Sequence, residues 1–129
     1  MSRQVAMEFG SSSILNNASG SLRFNLLWEN ASPDAAFSAQ SIAVDLSGYS
    51  FFVVEVHFAN NASVGYVPLQ WFPADEKLHI LQIASGNNAD GERSVQYSAT
   101  NKTLTFGAGR YNNNSNNNYV LPTAVYGVT

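Results

Sequence analysis

The sequence contains no cysteine. Disulfide frameworks, thiolate metal sites and cysteine nucleophiles are therefore excluded. The chain has 129 residues, enough for one domain that buries roughly two-thirds of its unfolded surface without a covalent or metal staple. Charge is scarce too: Asp, Glu, Lys and Arg make up 12% of the residues, about half the usual share. With six Lys and Arg residues, none of them clustered, and a formal net charge of -3, the counterion release that drives nucleic-acid binding is missing. Nucleic acid is accordingly excluded from the expected partners. No apolar run approaches the roughly 18 residues of a membrane span. Met1-Ser2-Arg3-Gln4 leads straight into an alternating segment, without the apolar stretch of a signal peptide. A soluble chain is expected, with no membrane insertion and no export by that route.

What the sequence has instead is polarity without charge, supplied by Ser11-Ser12-Ser13, Asn16-Asn17, Asn60-Asn61, Asn87-Asn88 and the run Asn112 to Asn118. Between these stretches lie short runs rich in Val, Ile, Phe and Tyr, at the spacing of strands in sandwiches and barrels. Strands are predicted near Gln4-Phe9, Leu22-Trp28, Gln40-Leu46, Ser50-Ala59, Gly65-Phe72, Lys77-Ala84, Ser94-Ala99, Thr103-Phe106 and Tyr119-Tyr126. Phe52, Val54, Val56 and Phe58 fall two residues apart, on one strand face. Leu22, Phe24, Leu26 and Trp28 do the same and are expected to be buried together. Asp90-Gly91 reads as the hairpin end of the turn Asn87-Asn88-Ala89-Asp90-Gly91. Pro68 and Pro122 each mark an edge strand or a bulge, because proline donates nothing to a ladder. So many strands need two packed sheets. The predicted fold is all-β, an antiparallel β-sandwich of about eight to nine short strands, with the jelly roll as one form open to it. Residues 1-20 form an N-terminal arm with a first strand, and 21-129 the single sandwich domain.

Few residues offer chemistry. Glu55 and His57 share a strand face two positions apart, where a carboxylate can orient an imidazole, yet no motif marks a third catalytic element. Asp75-Glu76-Lys77 with His79 matches no metal-ligand spacing and reads as a solvated turn. Gly107-Ala108-Gly109-Arg110 leads into asparagines and not into a helix, so it reads as a bend and not as a phosphate loop. Asp34, Asp45, Asp75, Asp90 and Glu92 leave a carboxylate pair for glycan cleavage formally open. No catalytic residue, metal or cofactor is predicted. The segment from Arg110 to Tyr119 leaves two readings: a flexible or turn-rich loop, and an ordered tip that contacts a partner through its amides. On the second reading Tyr111, Asn113, Asn114, Asn116 and Tyr119 are the candidate binding residues, since polar tips on rigid strands commonly carry recognition.

Leu27-Trp28-Glu29-Asn30-Ala31-Ser32-Pro33, then Phe37-Ser38-Ala39-Gln40-Ser41-Ile42 and Asp45-Leu46-Ser47-Gly48-Tyr49, followed by the apolar Phe51-Phe52-Val53-Val54-Glu55-Val56, resemble small structural proteins of tailed bacteriophages. The ending Asn118-Tyr119-Val120-Leu121-Pro122 with Tyr126-Gly127-Val128 carries the same resemblance, which spans most of the chain from Leu22 onward. Its motifs are structural. The resemblance implies a virion component assembled in the bacterial host cytoplasm, non-enzymatic, multimeric with a homotrimer favoured, and associated with tail fibre or baseplate. Its implied partners are other virion proteins and a host-surface glycan or protein receptor. No long N-terminal shaft precedes the domain, so a capsid decoration protein docked by residues 1-17 is the alternative. A lectin-like carbohydrate-binding module and a small glycan-cleaving enzyme are the readings outside the virion class.

Overall fold

The computed structural model describes residues 4–8, 21–60, 67–85 and 89–129. The remaining parts of the N-terminal arm, Gly65 and Tyr66 of the fifth predicted strand, and Asn87-Asn88 of the predicted turn lie outside the described residues. Eleven strands are described: β1 (Gln4–Glu8), β2 (Ser21–Glu29), β3 (Gln40–Ala43), β4 (Phe51–Ala59), β5 (Leu69–Pro73), β6 (His79–Ser85), β7 (Ala89–Ser98), β8 (Thr103–Phe106), β9 (Arg110–Tyr111), β10 (Asn114–Ser115) and β11 (Tyr119–Val128). They form two antiparallel sheets. The first runs β1-β2-β11-β4-β5; in the second, β7 carries β6 on one flank and β8 and β9 on the other, with β3 outside β8 and β10 outside β9. Gly107-Ala108-Gly109 is the bend that separates β8 from β9.

The predicted β-sandwich is therefore the fold. Two strand pairs nest as in a jelly roll, β2 with β11 and β3 with β8, while inside them β4 pairs with its neighbour β5 and β7 with its neighbour β6. Alternation along β4 works as the sequence implies: Phe52, Val54 and Val56 enter the core between the sheets with Phe58 packed at its margin. There they meet Leu81, Ile83, Val95, Tyr97, Leu104 and Phe106 from the second sheet. Pro68 directly precedes β5, an edge strand of the first sheet, which is one of the two places expected for a proline in that predicted span. Pro122 stands in the central strand β11, and the register shifts between Pro122 and Ala124, so a bulge accommodates it.

Two expectations are corrected. Leu22, Phe24 and Leu26 do not share a face with Trp28. Val125 pairs with Trp28 but Tyr126 with Leu26, so Leu27 is an extra residue and the strand changes face at that point. Leu27 and Trp28 pack on the inter-sheet core, whereas Leu22, Phe24 and Leu26 join Val53, Ala124, Tyr126 and Val128 in a smaller cluster on the outer face of the first sheet. Asp90-Gly91 is not the hairpin turn either. Asp90 pairs with Ala84 and Gly91 with Ile83, inside the β6–β7 ladder. Gly91 is needed there for space: a Cβ would stand 2.9 Å from Val120 Cγ2.

The Asp45-to-Tyr49 segment is a turn built from its own residues. The Asp45 carboxylate accepts from the Ser47 amide at 2.9 Å, Tyr49 N–H donates to the Leu46 carbonyl, and Gly48 takes φ of 86°. Hydrogen bonds from Ser47, with a lesser contribution from Lys102, hold the Asp45 carboxyl below its ordinary pKa. The turn is tied inward by Leu46 N–H, which donates to the buried Tyr97 hydroxyl at 3.1 Å. Trp28 and Phe37 meet ring to ring at 6.1 Å, and Phe37 and Phe106 at 5.6 Å. Trp28 and Phe37 thus belong to the core and Asp45 to Tyr49 to a turn.

Candidate functional site

The asparagine segment forms a hairpin. Tyr111 pairs with Asn114 and Arg110 with Ser115, leaving Asn112 and Asn113 as a two-residue turn. Their φ values, 47° and 68°, are those of the tight turn whose twist matches paired strands, and asparagine is the non-glycine residue that tolerates them best. The amide side chains close the backbone around it. Asp90 N–H donates to the Asn112 side-chain oxygen at 2.9 Å, Gly109 N–H to that of Asn117 at 3.0 Å, and Asn118 N–H to that of Asn116 at 3.1 Å. Phe37 N–H reaches the Asn117 carbonyl, and the Asn60 side chain the Asn118 side-chain oxygen.

Of the five predicted binding residues, Asn113 and Asn114 stand exposed at the tip while Tyr111, Asn116 and Tyr119 are half-buried. The two tyrosines are not separate exposed faces. They stack on each other at 4.2 Å and 20°, and Phe58 meets both edge-on, at 6.4 and 5.4 Å. The trio plugs one end of the sandwich. Spacing alone does not reveal this, because Phe58 lies more than fifty residues from either ring.

Beneath the plug lies Arg93, 1% exposed. Its Nε donates to the Val120 carbonyl at 2.7 Å, one terminal nitrogen to Gly107 at 2.8 Å and the other to Tyr119 at 3.0 Å, and its guanidinium lies 5.2 Å from the Phe37 ring centre. Burial pushes its pKa down to about 10, which leaves it a cation at neutral pH. Val120, a β-branched residue held at φ of 51°, is the residue whose carbonyl it takes. Arg93 thus clamps the β8–β9 bend to the start of β11. It is a structural element of the tip.

The carboxylate and imidazole groups sort into two places. Glu55 and His57 both point outward from β4, but the Glu55 carboxylate accepts from the Thr123 hydroxyl at 2.9 Å, and His57 Nδ1 lies 3.6 Å from an Asp34 oxygen. Asp34 is an open carboxylate at the rim, so the pair forms a shallow polar cleft with Glu29, Asn30 and Pro33. Asp75 accepts from His79 at 2.6 Å, and this bond, more than the nearby Lys77 amide, holds its carboxyl below the ordinary range. Among the described residues no group of three or more His, Asp or Glu side chains is placed to hold a metal.

The feature that sequence reading missed is an apolar edge. All six large hydrophobic side chains that stand exposed among the described residues are Phe51, Val67, Leu69, Trp71, Leu78 and Ile80. Five of them lie between residues 67 and 80, and the sixth, Phe51, is the pairing partner of Pro73. β5 ends the first sheet and β6 lies at the open flank of the second. The Gln70 side chain joins them: its amide donates to the Gln82 carbonyl and accepts from the Gln82 N–H, both at 3.0 Å. On the outer face beside β5, Leu22, Phe51, Trp71, Phe72, Pro73 and Val128 line an apolar groove. A signal was present in the uncharged run Val67-Pro68-Leu69-Gln70-Trp71-Phe72-Pro73. Its alternation does not say which alternate residues face water, and that depends on the two-sheet arrangement.

No protein-family model, no curated protein and no solved structure matches the chain.

Proposed function

We infer that this chain is a structural component of a tailed-phage particle, which works by surface contact and not by turnover. The observation that carries the reading is that four of the six exposed large apolar side chains of the described residues, Phe51, Val67, Leu69 and Trp71, lie on or beside the edge strand β5. Scattered exposed hydrophobics need no explanation, but a group on one edge strand is an interface or an aggregation hazard. The low charge of the skin and the motifs resembling phage structural proteins support the same reading. A virion location, association with tail fibre or baseplate, and contacts with other virion proteins follow from that resemblance. The asparagine tip is the surface proposed for a host-surface glycan or protein, with Asn113 and Asn114 as its exposed contacts.

The test is location and adhesion together. Antibody against the purified chain should label tails of particles whose genome encodes it, and fluorescent chain should bind the host cells. Labelling of heads alone, with no binding to cells, would move the chain to the capsid-decoration reading. Absence from purified particles would end both.

A further inference from the structure

Resting on the assembly reading above, we propose that β5 is the contact between two copies of this chain, joined strand to strand about a two-fold axis at Gln70. The backbone sets this up. Val56 N–H donates to the Pro68 carbonyl and Ala74 N–H to the Ser50 carbonyl. Because backbone groups alternate sides along a strand, Gln70 and Phe72 also turn toward β4 while Leu69 and Trp71 turn their N–H and C=O groups outward. A second β5, running antiparallel with its Leu69 opposite Trp71, satisfies these groups with four N–H···O bonds. It extends two five-stranded sheets into one. Pro73, also facing outward, has no N–H to give, so sliding the register toward it loses bonds.

Side chains suit the same pairing. Leu69 and Trp71 share the outer face with Phe51, which is 49% exposed, while Trp71 is 42% exposed. Across the axis each Trp71 lies beside the other copy's Leu69, a favourable aromatic–aliphatic cross-strand pair. Val67 to Pro73 carries no charge, so two copies of a chain with net charge -3 meet where like charges do not oppose them. The exposed parts of Val67, Leu69 and Trp71 with the strand edge make a small contact, of the size of a weak and concentration-dependent association and not of an obligate dimer. Such a contact is isologous and closes at two subunits, so it replaces the trimer expected from the fibre resemblance.

Light scattering on the full chain as it elutes from a sizing column should give a mass that rises with loading concentration toward twice the 14.0 kDa of the monomer. Trp71→Lys and Leu69→Lys should each return it to one monomer mass, with circular dichroism unchanged. Since the sequence has no cysteine, a mixture of Leu69→Cys and Trp71→Cys chains should form the mixed disulfide in preference to either like pair. That register readout holds even if a lysine variant fails to fold. A monomer at the highest soluble concentration, a trimer, or a dimer indifferent to both the lysine and cysteine changes would overturn the proposal. Capture of an unlike virion protein by monomeric chain through Trp71 would do so too, assigning the edge to that partner. Absence from phage particles would refute the particle reading and leave the dimer untouched.

Discussion

Replacing Arg93 with methionine keeps the length and apolar stem of the side chain and removes its five donors. Three buried or half-buried carbonyls, on Val120, Tyr119 and Gly107, then lose their partners. Each unsatisfied buried polar group costs about 1–3 kcal/mol. Methionine also ends the cost of keeping a cation out of water, the cost that burial expresses by pulling the Arg93 pKa down to about 10. The net loss is expected at about 2–5 kcal/mol, the loss of three carbonyl partners offset in part by the relieved desolvation of the cation. For a domain with about 5–15 kcal/mol to lose, that lowers the melting temperature by roughly 10–20 °C. Lysine should recover less than half of it, since one ammonium cannot place donors at all three carbonyls. The assay is urea unfolding followed by tryptophan fluorescence, with Trp28 packed against the same core. If Arg93→Met lies within about 1 kcal/mol of the native chain, the guanidinium does not clamp the bend to β11 and the account of the positive φ at Val120 fails.

Three further outcomes can be measured the same way. Gly109→Ala places a Cβ 2.5 Å from the Asn116 carbonyl oxygen and 2.7 Å from that of Tyr119, both backbone, so it should destabilise by at least about 1–3 kcal/mol. Asn113→Gly relieves a left-handed residue in the two-residue turn and should leave stability equal or raise it by up to about 1 kcal/mol; a clear loss would mean the Asn113 side chain holds the tip. Asp75 has a folded pKa below its ordinary 3.8, chiefly through His79, so its contribution is present above that value and disappears as pH falls through the lower folded value. Asp75→Asn should therefore flatten the decline of the urea midpoint below pH 4, and an unchanged acid limb would remove the bond from the stability account.

The amino-acid order by itself determined the class of the fold. Period-two alternation in β4, the punctuation by Gly, Asn and Pro, and the lack of any sustained helical period leave only stacked sheets, because strand side chains must alternate between a dry face and a wet one. It also marked Pro68 and Pro122 as places of an edge strand or a bulge, since a missing N–H is a local property, while strand order decided which is which. The faces of β2 were not determined locally. One extra residue, Leu27, reverses which side chains are buried, and only pairing with β11 reveals it. Gly91 looked like turn chemistry because proximity in sequence favours that reading, while its use is room for Val120, twenty-nine residues further on. Likewise the asparagines read as a flexible or turn-rich loop or as a tip that offers its amides to a partner, and several of those amides satisfy backbone groups brought close by the ends of β4, β7 and β11. The apolar edge belongs to the same category. Whether Leu69 and Trp71 face a core or water depends on which sheet ends at β5, and strand order is decided by contacts far apart in the chain.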